Sequence, residues 1–278
     1  MKLTKIITEE YETLSEQKIA KEHAPSTIYQ TLLGAYQLWL EECTLIEEKN
    51  AEEEWGNYAE DIRVSEKYKA ASENATHFIS ECTHTDIFQL SKEIVRFEEH
   101  FEFSESGLFL SAIINEHYKR YTDSPYLIHT KKYVHAMNYL GFELDGAEIH
   151  IIGDAGHNLG YLMSSGTIIV NGDTRMGIGS FMENGKIVVC GNAEDAIGFK
   201  MKGGEILIQK NAGMRVGYGL EGGTITLYGN CGSELGQISG GEVYIEGSID
   251  MSKGPIEESD REKTKIFHKG KQIFPKKE

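Results

Sequence analysis

His77, Cys82, His84, Asp86, His100 and His117 are all able to ligate a transition metal and lie within the first half of the chain. The tightest run is Cys82-Thr83-His84-Thr85-Asp86. Zinc or iron needs three or four such ligands converging in fixed geometry. The spacings match no metal-binding signature, and the Glu-x-x-His pairs of di-iron bundles are missing. These residues therefore read as polar groups near a helix junction, and no metal is expected. A second column, Asp154, Asp173, Asn192, Asn211 and Asn230, recurs at a fixed step. Stacked oxygens could hold a hard cation. The favoured reading is a turn ladder, because Asn and Asp tolerate left-handed φ and bond neighbouring backbone. Cys190 and Cys231 could be nucleophiles only beside a base, and no histidine lies between His157 and His268. Cys231 shares its register with Ala155, Thr174, Ala193 and Ala212, which suits a small buried residue. The Gly-x-Gly pairs at Gly177 and Gly217 open no helix and are not dinucleotide fingerprints. No catalytic residue and no cofactor is expected.

Composition narrows the class of function. Hydrophobic residues make up 40% and charged residues 26% of 278, the proportions of a folded globular chain. A net charge of −16 argues against nucleic acid or an anionic membrane as partner. No stretch approaches the roughly 18 apolar residues of a membrane span. Glu9-Glu10 interrupts the N-terminus before a signal-peptide core could form. Cys43, Cys82, Cys190 and Cys231 are far apart and form no CxxC pair, so free thiols and a cytoplasmic location are expected.

Glycine divides the chain. Of 30 glycines, 25 lie between Gly141 and Gly247, and all four prolines lie outside that block. Residues 1–140 are expected to form a helical domain, 141–250 a repeat domain and 251–278 a charged, loosely ordered tail. Within residues 1–140, Ile28, Leu32, Tyr36, Trp39, Cys43 and Ile46 recur at steps of three and four, one stripe of an amphipathic helix. Ser26 or Thr27 could cap it. Residues 51–80 are helix-compatible. A second stripe runs through Ile87, Leu90, Ile94, Phe97 and Phe101, and a third segment from Leu108 to Tyr118 with Ser104 as cap. A further helix is expected over Tyr126–Leu140, ended by Gly141. Four to six helices would pack as a bundle.

The glycine block repeats every 19 residues. Ile149, Ile168, Ile187, Ile206 and Ile225 hold one register; Ile151, Val170, Val189, Ile208 and Leu227 hold another two positions on. Leu159, Ile178, Ile197, Val216 and Leu235 keep the same step, and so do Met163, Met182 and Met201. Such a period with β-branched columns marks stacked coils. The two positions of each Ile-x-Val pair share one face of a short strand, so each column becomes an apolar ladder inside a β-solenoid. Residues 149–247 make about six coils, a stack roughly 29 Å tall at about 4.8 Å per strand.

Gly153-Asp154-Ala155-Gly156, Gly191-Asn192-Ala193, Met201-Lys202-Gly203-Gly204-Glu205-Ile206, Gly217-Tyr218-Gly219 and Leu220-Glu221-Gly222-Gly223-Thr224-Ile225 carry a likeness. Over about residues 145–250 they resemble the GXGXG repeat. That repeat occurs in the C-terminal domain of the glutamate synthase large subunit and in one of the subunits of formylmethanofuran dehydrogenase. The resemblance implies a right-handed β-helix without catalytic residues, packed as a support against domains that hold flavin, iron–sulfur or metal–pterin cofactors. The expected architecture is α+β: an N-terminal helical bundle followed by a right-handed parallel β-helix of about six coils.

Between the inward columns lie residues that should face outward: His150, Ile169, Val188, Leu207, Thr226 and Tyr244. Ile169, Val188 and Leu207 would make a contiguous apolar patch, which monomers rarely leave bare. The helical domain or a partner is expected to cover that face; Ile169, Val188, Leu207, Thr226 and Tyr244 are the candidate contact surface, and a protein partner or a homo-oligomer is expected. The expected role is a non-catalytic assembly module, with two alternatives: an accessory subunit of one of the two enzyme types, or a stand-alone enzyme or ligand binder with its site between the two domains.

Overall fold

Helix α1 (Thr27–Ala51) forms because its apolar residues fall on one stripe. Tyr29, Leu32, Tyr36, Trp39 and Cys43 are buried, with Ile28 and Ile46 packed at the margin. The computed structural model describes residues 27–51, 58–94, 105–122, 124–130, 137–235, 239–250 and 265–274. Helix α2 (Tyr58–Ala75) and a 3-10 turn (Ile79–Glu81) follow. Helix α3 (His84–Glu93) opens on a capping box: Thr83 accepts from the Asp86 N–H while the Asp86 carboxylate accepts from the Thr83 N–H. Helix α4 (Ser106–Tyr121) starts without a side-chain cap at Glu105. The expected caps Ser26 and Ser104, and the stripe residues Phe97 and Phe101, lie outside the described residues.

The four helices are held together by an apolar interior and one ionic knot. The rings of Tyr36, Trp39 and Phe109 meet between α1 and α4 at centroid distances of 5.1–5.7 Å. Lys67 of α2, 3% exposed, bonds Glu47 of α1 at 2.6 Å and also Glu105 at the start of α4. A buried ammonium needs such partners, since an unpaired charge there would be strongly destabilising.

The solenoid follows. Its strands are β1 (Tyr126–His129), β2 (Glu148–Ile152), β3 (Thr167–Val170), β4 (Lys186–Val189), β5 (Glu205–Ile208), β6 (Thr224–Leu227), β7 (Glu242–Ile245), β8 (Lys265–His268) and β9 (Lys271–Phe274). They form one sheet in chain order, parallel from β1 to β8 and antiparallel between β8 and β9. From β2 to β6 each residue faces the one 19 positions on, Ile149 to Ile168 and Ile168 to Ile187, as the period requires. A second line of parallel bridges, from Ala155 through Thr174, Ala193, Ala212 and Cys231 to Ile249, joins successive coils a few residues past the strands. The columns Leu159 to Leu235 and Met163 to Leu220 are buried.

The helix expected over Tyr126–Leu140 is not seen among the described residues, which leave out 131–136. Tyr126–His129 is β1, paired with Ile149–Ile152, and residues 138–143 turn. Tyr126 and Ile128 continue the two inward columns, so an extended chain buries both and satisfies the free edge of β2. Gly141 does take a positive φ of 77°, but at a solenoid corner rather than a helix end. The tail also departs from expectation. Lys265–His268 adds a strand whose Ile266 is fully buried, so the sheet extends past 141–250 at both ends.

The helices close the first coil. Ser111 of α4 accepts from the N–H groups of Gly141 and Phe142. Asn115 donates to the carbonyls of Phe142 and Glu143 and to the Tyr68 hydroxyl. These bonds satisfy backbone that a bare coil end would leave open. One continuous apolar core therefore runs from Trp39 to Ile266.

Candidate functional site

The pleat decides which residues face out of the sheet. In strands β3 to β7 the inward residues are buried and the alternate ones half-buried. Ile169, Val188, Leu207, Thr226 and Tyr244 form the middle of this outer row, with register partners Ile169–Val188, Val188–Leu207, Leu207–Thr226 and Thr226–Tyr244. Phe267 extends the row, its ring stacked on Tyr244 at 4.6 Å. The helices meet the sheet through β1, and the row remains half-buried rather than enclosed. Cover by the helices, one of the expected alternatives, is therefore not seen among the described residues.

Charge borders the row. Lys186 and Glu205, on adjacent strands, lie 2.7 Å apart, and Lys265 reaches Glu242 at 3.0 Å. The Tyr244 hydroxyl donates to Glu242 at 2.6 Å. That bond, followed by the Lys265 bond, holds the Glu242 carboxyl below its ordinary pKa and raises that of Tyr244. At the lower end Glu148 contacts the His150 ring.

A second feature lies where helices and solenoid meet. A cleft of about 640 Å³ opens between α2, α4 and the turns after Phe142, Tyr161 and Phe181. Tyr68, Ser72, Lys119, Glu143, Asp145 and Ser164 are among its walls. Most of these groups are already engaged. Ser72 and Lys119 both bond Glu116, and Asp145 accepts from Ser164 and Ser165. Burial raises the Glu143 carboxyl pKa against the opposing pull of Lys119, and pushes Tyr68 up to about 12.

The residues singled out for metal chemistry serve the junction instead. His117 Nδ1 lies 2.8 Å from the Tyr126 hydroxyl and Nε2 lies 3.1 Å from the Cys82 carbonyl. The His84 ring packs against Tyr126 and His117 at 4.4 and 5.0 Å. Asp86 caps α3, and His77 stands at the exposed end of the α2 turn. His100 lies outside the described residues. Among the described residues no three His, Cys, Asp or Glu side chains gather as metal ligands do.

The Asp/Asn column is a turn ladder. Each Oδ1 accepts the N–H of the residue one coil on: Asp154 from Asp173 at 2.7 Å, Asp173 from Asn192 at 2.6 Å, Asn192 from Asn211 at 3.2 Å and Asn211 from Asn230 at 3.0 Å. Burial pushes the Cys82 and Cys231 thiols up to about 12 and raises that of Cys190, which disfavours the thiolate a nucleophile needs. A ridge of stacked and tilted rings, Tyr161, Phe181, Phe199 and Tyr218, with Lys200 over two of them, escaped the sequence reading. Tyr161, Phe199 and Tyr218 share one register, which Ser180 interrupts, and Phe181 stands one position beyond it.

No protein-family model matches the chain, and no curated protein matches it by sequence.

Proposed function

We propose that this protein is a non-catalytic assembly module that makes protein contact through the outer face of its sheet. The observation that carries the reading is the row Ile169, Val188, Leu207: three apolar side chains, one per coil, outside both the core and the helical cap. Rigid stacked strands hold such a row flat and in fixed register, which favours recognition by another ordered surface. The likeness to the GXGXG repeat agrees with a supporting role and points toward an oxidoreductase assembly. The test is native mass spectrometry of the tagged protein from its own cells, wild type against Val188→Asp. A stoichiometric complex is expected for the wild type and its loss for the variant, with unchanged circular dichroism. Equal recovery in both would overturn the reading.

The cleft between α2, α4 and the solenoid turns favours a second reading, a small-ligand binder. Its size is in the range of ligand sites, about 300–1,000 Å³. Its walls are mostly engaged with one another, which is why it ranks second. Saturable binding abolished by Leu162→Trp, which fills the cleft, would reverse that order.

A further inference from the structure

The outer face is self-complementary, and this bears on what covers it. Consider a two-fold axis parallel to the strands and midway between β4 and β5. It brings two sheets face to face, keeps strand direction and reverses the order of the coils. Val188 of one copy then meets Leu207 of the other, and Ile169 meets Thr226. His150 meets Tyr244, and Leu127 meets Phe267. The same operation places Lys186 opposite Glu205 of the second copy, twice. The uncharged Thr167 and Thr224 fall opposite each other. Glu148 faces Glu242 across the interface, but each has a local partner, His150 for the first and Lys265 for the second. The row spans strands β1 to β8, about 34 Å, and with its flanking rows is about 17 Å wide. Two copies so placed bury on the order of 1,200 Å² in total, the lower edge of the range for specific complexes.

We propose that the occupant of this face is a second copy of the chain, joined by that two-fold with coils running in opposite directions. The inference rests on the assembly reading above and names its partner. A closed two-fold uses one patch on both copies, which a row pairing with its own reverse satisfies.

The experiment is light scattering on the purified full chain over a range of concentrations, for the wild type, Val188→Asp, Lys186→Glu and Glu205→Lys. A mass of two chains is expected for the wild type and of one chain for Val188→Asp, with circular dichroism unchanged. Each charge reversal alone should weaken self-association by at least about tenfold, since it sets like charges opposite each other. Mixing Lys186→Glu with Glu205→Lys is the discriminating step. Between those chains both cross pairs are attractive, whereas the pair within each chain is repulsive. Recovery of a mixed dimer therefore supports contact between copies, and its absence overturns this geometry. A single-chain mass at all concentrations overturns the second copy as occupant. The assembly reading then stands or falls on whether Val188→Asp abolishes a native complex with another protein. A two-chain mass that survives Val188→Asp overturns this geometry, because the copies then meet through another surface.

Discussion

Asn192 shows how one side chain serves two coils. Its Oδ1 accepts the Asn211 N–H and its Nδ2 donates to Asp173, one coil to either side. That role was legible, because identical turns stacked at 19 residues must bring like side chains together. Asn115 and Ser111 were not legible. They satisfy backbone groups of a single junction, and a contact made once leaves no period. Glu143 belongs to the same junction and carries a prediction. Burial lifts its carboxyl above the ordinary value of 4.5. A group whose pKa rises on folding favours the fold when protonated. Its contribution is full below the unfolded value and is lost as pH rises through the folded one. Glu143→Gln should therefore raise the thermal midpoint at neutral pH, with the gain shrinking toward pH 4. A gain independent of pH would assign the effect to something other than this titration.

The cap depends on how closely α4 approaches the first coil. A Cβ on Gly107 would sit 2.1 Å from the Asn138 carbonyl oxygen and 2.6 Å from the Leu140 N–H nitrogen. Both are backbone atoms, so the helix or the coil must move. Gly107→Ala is expected to destabilise the protein by about 2–3 kcal/mol, an overpacking effect, read as a lower urea midpoint. An unchanged midpoint would mean that α4 does not seat on the coil as described. The strands β2 to β7 were readable from their two inward columns. Strand β1 was not, because 23 residues rather than 19 separate Tyr126 from Ile149. Over Tyr126–Leu140 the apolar residues also fit a helical step. The choice between the two conformations was made by the open edge of β2, a tertiary demand that local pattern does not carry. Strand β8 escaped for a similar reason: its partner Val243 lies 23 residues before Ile266.

Taken as a whole, the molecule is a stack closed differently at its two ends. At one end helices satisfy the first coil with side chains. At the other, β9 turns back through Lys269 and Gly270 and runs against β8. Every earlier strand presents an edge on which another parallel strand can be laid, and a stack of identical steps contains nothing that says where to stop. Reversing the final strand withdraws the parallel template, and Lys271 sets a charge at the new border. Removing residues 269–278 should leave the β8 edge unpaired at this end alone, since the helices still cover the other, and two molecules are then expected to join tail to tail. Sedimentation would detect the joined species; a truncated protein no larger in solution than the intact one would show that the hairpin has no such duty. If the joined species does form, the hairpin is the full stop of a sentence that the repeat by itself could have continued.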